Sequence, residues 1–211
     1  APGDPRAERG AEPQEDRLEF STKSLAPERA PGACVVAGVF ESRKLSAAAE
    51  ALDRASGGAV RAVLKRGDMD GKAGTVRMLY KARRVAAERV LLVGLGKEPE
   101  FGAKAYREAV RAAVGALAET GAADAHLFLA DLPVRDQDLA WRAFHATTVA
   151  AEALYRFDEM KTKKSAPRAL KRLMIATASK TGAADAARGL AEGRAIAAGV
   201  ATIMPSYSSW N

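Results

Sequence analysis

The chain has 211 residues, 48% of them hydrophobic and 28% charged, a composition that excludes global disorder and a fibrous repeat and is ordinary for a soluble globular domain. Lys and Arg number 33 against 26 Asp and Glu, and the formal net charge of +7 favours acidic or polyanionic partners without deciding the fold. The single cysteine, Cys34, rules out an intrachain disulfide framework, and its apolar neighbours predict a buried core residue.

The first 17 residues differ in composition from the rest of the chain. They are rich in Pro, Gly, Glu and Arg and contain no apolar segment. This composition predicts a disordered leader at residues 1–17 and excludes a secretory signal. No later apolar run approaches the length of a membrane-spanning helix, so we expect no membrane partner and a cytoplasmic location.

Apolar runs and alternations predict the strands. Residues 18–24 alternate apolar and polar side chains, which is typical of a half-buried edge strand. Residues 33–40 and 89–95 are almost wholly apolar and predict strands buried on both faces. Three further strands are predicted at residues 75–80, 125–130 and 173–176.

Capping residues and apolar side chains at helical spacing predict helices between these strands. Ser46 caps an Ala-rich helix that Gly57 and Gly58 end, and residues 59–66 form a short amphipathic helix. Longer helices are predicted at residues 104–120, from Asp136 or Asp138 to Tyr155, and at 182–200. This alternation predicts an α/β three-layer sandwich, with a mixed, mostly parallel sheet covered by helices on both faces.

Candidate catalytic and metal-binding residues are few. His126 and His145, the only histidines, lie on a predicted strand and a predicted helix, without the Cys-x-x-Cys or His-Glu-x-x-His spacing of a zinc site. The carboxylates Asp131, Asp136 and Asp138 have the positions of loop and capping residues. No Gly-x-Ser-x-Gly elbow is present. The sequence therefore predicts no catalytic residue and no metal ligand in this chain.

A glycine-containing turn at residues 93–97 follows one of the buried strands, where a phosphate-binding loop would lie. It lacks a third glycine and a Ser or Thr after Lys97, and Pro99 interrupts the approach to the next helix. An ordinary turn between a strand and a helix is the main prediction, and a phosphate site is the alternative.

Basic residues gather in three regions that are predicted to be exposed. Such clusters can neutralise phosphates and bind nucleic acid in a salt-dependent way, but no interleaved aromatic residues suggest base stacking. A solvated surface is the main prediction, and nucleic-acid binding is the alternative. The possible nucleic-acid contacts are Arg61, Lys65, Arg66, Arg83, Arg84, Lys161, Lys163 and Lys164.

Five segments, in their order along the chain, are similar to the N-terminal part of bacterial leucyl aminopeptidases of the M17 family. The similarity extends from about residue 18 to residue 200, and its strength lies in the order of the segments. The segments are Leu18–Ser24, Val39–Ser46, Leu91–Glu98, Tyr155–Ser165 and Glu192–Gly199.

The resemblance implies a macro-domain-like fold at residues 18–181 and a linker helix at 182–200 that leads to a C-terminal catalytic domain, with an atypical tail at 201–211. It also implies a full enzyme that is a homo-hexamer and uses two divalent ions, manganese or zinc, to release N-terminal amino acids from peptides. A macro-like fold further suggests an ADP-ribose-type ligand at the turn from Gly94 to Lys97.

The catalytic stretches of the family do not occur in this chain. The tripeptide Glu192–Arg194 echoes the end of one of them, but it follows Arg-Gly-Leu-Ala where the family has Asn-Thr-Asp-Ala. The chain is therefore expected to be an accessory domain, inactive alone, that supports oligomerisation and access to the active site. A DNA-binding accessory module is the alternative, because some bacterial members of this family bind DNA.

Overall fold

The computed structural model describes residues 18–159, 169–179 and 181–203, which form one sheet with helices on both of its faces. The strands are β1 (Glu19–Ser24), β2 (Cys34–Phe40), β3 (Lys44–Leu45), β4 (Val76–Tyr80), β5 (Arg89–Gly94), β6 (Asp124–Leu127) and β7 (Arg172–Thr177). The α-helices are α1 (Ala47–Ser56), α2 (Ala59–Arg66), α3 (Ala103–Ala118), α4 (Leu139–Glu159) and α5 (Ala183–Ile203). Each predicted strand and helix is present.

The sheet has the strand order β1-β7-β6-β2-β5-β4, and the two-residue strand β3 pairs with β2. The first five of these strands are parallel to their neighbours, whereas β4 runs antiparallel to β5 and β3 antiparallel to β2. The predicted mixed, mostly parallel sheet is therefore confirmed. The alternating strand from residue 18 lies at one edge as β1, and β4 forms the other edge.

Two apolar cores lie on opposite faces of the sheet, because alternate residues of each strand point to opposite sides. Cys34 and Val36 of β2 belong to the core beneath α3, α4 and α5, and Val35 and Ala37 belong to the core beneath α1 and α2. All seven residues of β2 are buried. The three-layer sandwich inferred from the sequence is thus confirmed.

One boundary differs from the sequence-based prediction, and another that the sequence left between two residues is resolved. The strand expected at residues 125–130 ends at Leu127, and Phe128–Asp131 form a 3-10 turn. This turn carries Asp131 to the end of β7, where its carboxylate accepts hydrogen bonds from the Thr177 hydroxyl at 2.5 Å and the Ala178 N–H at 2.7 Å. Of the two caps considered for α4, Asp138 fills the role, since its Oδ1 accepts the N–H of Trp141 at 2.7 Å.

Helix α5 packs closely on α4 through glycines. At Gly193 an added Cβ would lie 2.8 Å from the Cβ of Thr147 and 3.0 Å from the Phe144 carbonyl oxygen, and at Gly189 it would overlap the carbonyl group of Ala140. A stripe of small residues allows such an approach of two helix backbones. Helix α5 is therefore part of the packed body of the domain over this stretch.

Candidate functional site

The carboxyl end of β2 is the place where this topology favours a ligand. From β2 the chain passes through α1, α2 and the edge strand β4 to β5, the neighbour of β2 on one side, and then through α3 to β6, its neighbour on the other side. Connections that leave a strand in opposite directions open a crevice at the carboxyl ends of the strands. A cavity of about 290 Å³ lies there, with apolar walls that include Phe40, Leu45, Phe128 and Leu132.

The charged residues of this crevice are largely engaged with the protein itself. Lys44 forms an ion pair with Glu98 at 2.6 Å, although both side chains are partly exposed. Asp131, which the sequence presented as a loop residue, joins the ends of β6 and β7 through Thr177 and Ala178. A carboxylate directly after a buried strand could have indicated this position, but its partner lies 46 residues away. Lys44, Glu98 and Asp131 of the crevice are therefore held by partners within the protein.

The glycine-containing turn after β5 is closed by backbone hydrogen bonds. Gly94 N–H donates to the Thr75 carbonyl at 2.7 Å, and Leu95 N–H to the Val39 carbonyl at 2.9 Å. Gly96 N–H donates to the carbonyl of Gly71, also at 2.9 Å. Because these three N–H groups already have acceptors, none of them is available to a phosphate. These bonds agree with an ordinary turn, and they deprive the phosphate alternative of the N–H groups of Gly94, Leu95 and Gly96.

Cys34 and His145, two of the residues weighed for chemistry, lie in packed surroundings. Cys34 is fully buried, and this burial raises the pKa of its thiol to about 12, which keeps the thiol protonated and unreactive. His145 packs its ring on Trp141, with 4.0 Å between ring centroids, and on Phe144. The prediction that Cys34 is a core residue is confirmed.

His126 lies in the middle of β6, between Val35 of β2 and Met174 of β7. Only 2% of its surface is exposed, and neither ring nitrogen has a hydrogen-bond partner among the described residues. Burial, and then the nearby Lys23, hold its pKa below the ordinary value of 6.5, while Asp124 acts in the opposite direction. The ring is therefore neutral at pH 7 and leaves two buried polar atoms unpaired.

Replacing His126 by Leu is expected to raise the free energy of unfolding by about 1 kcal/mol at pH 7, because an apolar side chain of similar size removes the unpaired nitrogens. As the pH falls below about 6.5, the unfolded chain binds a proton that the native ring resists, so the wild type loses stability. In urea unfolding at pH 7.5, 6.5 and 5.5, the free energy of unfolding should fall less in His126→Leu than in the wild type. It need not stay constant in the variant, because His145 still titrates. Equal pH dependence in both proteins would contradict the buried position.

No group of three or more His, Cys, Asp or Glu side chains within residues 18–159, 169–179 and 181–203 could hold a metal ion. The residues that the structure describes thus do not fit the two divalent ions implied by the family resemblance. None of the helices in these ranges combines the length and apolar composition needed to cross a bilayer.

Five of the eight predicted nucleic-acid contacts lie in two places. Three are on α2 and two on the loop between β4 and β5, and apolar residues of both regions border the core beneath α1 and α2. Arg61 is paired with the nearly buried Asp53 at 2.5 Å, and Arg66 with Asp68 at 3.2 Å. The remaining three, Lys161, Lys163 and Lys164, lie outside the described residues.

Comparisons with known proteins agree with this architecture. Residues 36–164 match the model of the cytosol aminopeptidase family, N-terminal domain. A protein of Dechloromonas aromatica described as a probable cytosol aminopeptidase is 48% identical over 185 residues, which cover 87% of this chain and 37% of that protein. The chain therefore spans little more than a third of the length of this relative.

Two solved structures share the fold. A mutant of tomato leucine aminopeptidase superimposes with a TM-score of 0.65 at 20% identity, over 90% of this chain and 38% of that chain. A mutant of the Oceanobacillus iheyensis macrodomain superimposes with a TM-score of 0.55 at 10% identity, over 86% of this chain and 93% of that chain. At such identities the likeness concerns the fold alone, and the fold is macrodomain-like, as predicted.

Proposed function

The chain belongs to the M17 cytosol aminopeptidase family, whose N-terminal domain it carries, and on this premise we propose that it is an accessory domain that does not hydrolyse peptides by itself. The observation that carries the proposal is the extent of the match. Residues 36–164 fit the N-terminal domain, and the chain spans 37% of the length of a relative described as a probable cytosol aminopeptidase. The paired charges of the crevice and the closed turn after β5 support a structural role.

The proposal extends to the complete enzyme. There we expect a C-terminal catalytic domain that binds two divalent ions, manganese or zinc, and a homo-hexamer in the cytoplasm that releases N-terminal amino acids. The domain limits at residues 18–181 and 182–200 stay predictions. Because Gly189 and Gly193 seat α5 on α4, we expect this helix to remain with the N-terminal domain.

Hydrolysis of a leucine anilide tests the proposal directly. We expect the purified chain to release no leucine in the presence of manganese or zinc, while the full-length relative of Dechloromonas aromatica, assayed in parallel, serves as the positive control. Residual activity counts only if it is lost on chelation, returns after dialysis and re-addition of the metal, and persists through a second chromatographic step. Metal-dependent turnover that co-purifies with the chain would overturn the accessory role.

A DNA-binding accessory role is the second candidate, and the exposure of Lys65, Arg83 and Arg84 on one side of the sheet favours it. Binding should shift duplex DNA in a gel at low salt and weaken steeply as salt rises. Reversing the three charges to Glu should abolish the shift, whereas Lys104→Glu on α3, across the sheet, should leave it unchanged. No shift at low salt, or one that the triple variant retains, would remove this candidate.

A further inference from the structure

The edge strand β4 has an outer side on which no other described strand pairs with its backbone groups. In its antiparallel pairing with β5, Lys81 N–H donates to the Glu88 carbonyl at 3.0 Å, and the Thr75 carbonyl accepts the N–H of Gly94 at 2.7 Å. In an antiparallel ladder, alternate residues form these pairs, so the odd-numbered residues of β4 direct their N–H and C=O groups to β5. Val76, Met78 and Tyr80 therefore direct theirs outward, away from the sheet.

The same three residues form an apolar row on one face of β4. Val76 is 42% exposed and Tyr80 is 68% exposed, and only one other large hydrophobic side chain among the described residues, Ile196, is as open. Met78 lies between them and packs partly on the core beneath α3. No proline interrupts β4, and its one charged residue, Arg77, lies on the opposite face of the strand from this row. Natural edge strands usually carry such interruptions to prevent pairing.

The opposite edge of the sheet provides the contrast. The side chains that β1 exposes are polar or charged, and they include Glu19, Ser21 and Lys23. Charged residues on an edge strand block the approach of a second strand. On the face that carries Val76, Met78 and Tyr80, β4 therefore presents an apolar row, whereas β1 exposes polar and charged side chains; the one charge of β4, Arg77, lies on its other face.

We propose that β4 pairs with β4 of a second copy of this chain across a two-fold axis at Met78, so that the two sheets become continuous. This register is the one in which all three outward residues of each strand pair, with Met78 opposite Met78 and Val76 opposite Tyr80. The local axis is perpendicular to the sheet, so both apolar rows lie on the same face and contact each other. Cross-strand pairs of an aromatic and a β-branched residue stabilise such a junction.

The charges of the strand are compatible with this register. Arg77 lies opposite Leu79 of the second copy, and its guanidinium already donates to the Asp68 carbonyl, at 2.7 Å from Nη2. Lys81 lies opposite Thr75. Arg77, the charged residue of β4, therefore lies directly opposite an apolar side chain, with the Arg77 of the second copy as a diagonal neighbour, and each copy carries a net charge of +7. A strand pair of this length buries less than about 1,000 Å², so the isolated chain should dimerise only weakly.

The proposed contact between two β4 strands would contribute to the oligomerisation that the proposed function includes. In this respect the contact rests on the proposed function. It is tested without any activity assay, so the accessory role and the contact can fail independently. The native thiol of Cys34 is fully buried and does not compete with introduced cysteines. Directly paired residues of this type have Cα atoms about 5.5 Å apart, which lies within the range of a disulfide.

Mild oxidation of variants that each carry one introduced cysteine tests the register in which the two β4 strands pair. Met78→Cys should give a disulfide-linked dimer at least about tenfold faster than Ser21→Cys on β1, which controls for random collisions. Val76→Cys and Tyr80→Cys should cross-link when mixed but not separately. Val76→Lys, compared with Ser21→Lys, should abolish the weak dimer in sedimentation equilibrium while circular dichroism confirms folding. Equal cross-linking of Met78→Cys and Ser21→Cys, or self-linking of Val76→Cys, would overturn the proposal.

Discussion

Gly189→Ala is expected to destabilise the domain by about 3 kcal/mol, although alanine is the better helix former. The added Cβ would overlap the carbonyl group of Ala140 on α4, and backbone atoms cannot move aside as a flexible side chain can. Overpacking of this kind usually costs about 1–3 kcal/mol. The cost outweighs the gain of up to about 1 kcal/mol in helix propensity. The free energy of unfolding in urea gives the measurement.

The chain offers matched controls for this substitution. At Gly115 in α3 an added Cβ meets nothing within 4 Å, so Gly115→Ala should stabilise the domain by about 0.5–1 kcal/mol. Gly193→Ala should fall between the two, because its nearest neighbours, at 2.8 and 3.0 Å, leave more room to adjust. If all three substitutions change stability in the same direction, α5 is not seated on α4 as the structure shows.

Local signals in the sequence located most elements of the fold. Ser46 caps α1 through the N–H of Ala49, and Gly57 ends the helix in a left-handed conformation, φ +73°, as the capping rules require. The continuous apolar run of β2 correctly indicated a strand buried on both faces. These features depend on residues that are neighbours along the chain, which is why pattern and propensity were sufficient.

Tertiary pairing accounts for what the sequence did not reveal. Asp131 was interpreted as a loop residue because its partner Thr177 is distant in sequence, and the turn that joins them shortens β6. Arg61 was interpreted as a free basic residue. It is held by Asp53, a 2% exposed carboxylate that also accepts the N–H of Arg61 at 2.8 Å. A helical pattern identifies the face on which such a residue lies, but not its partner.

The candidate site shows the same division between local pattern and tertiary contact. From the sequence, the missing third glycine and Pro99 argued against a phosphate loop at residues 93–97, and the hydrogen bonds of the turn agree with that interpretation. The sequence features could not show how the turn is closed, because the acceptors belong to the connector before β4 and to β2. This connector, residues 67–75 between α2 and β4, contacts the turn through Gly71, whose carbonyl accepts the N–H of Gly96. The hydrogen bonding of this turn therefore depends in part on Gly71, which was not singled out in the sequence.

Gly71→Ala should consequently cost about 4 kcal/mol, and Gly74→Ala only about 1 kcal/mol. Both glycines have a left-handed backbone, with φ of +82° and +76°, so both substitutions incur the conformational cost of a side chain there. An alanine Cβ at Gly71 would also overlap the Phe40 carbonyl at the end of β2, whereas at Gly74 nothing lies within 4 Å.

Amide hydrogen exchange distinguishes the loss of this contact from general destabilisation. When the connector is displaced, the Gly96 amide loses its acceptor at Gly71 and should exchange faster in Gly71→Ala than in Gly74→Ala, even after correction for global stability. The Leu95 amide, which donates to Val39, is the internal control and should keep its protection relative to the global value. Equal exchange of the Gly96 amide in the two variants would mean that the connector does not close the turn.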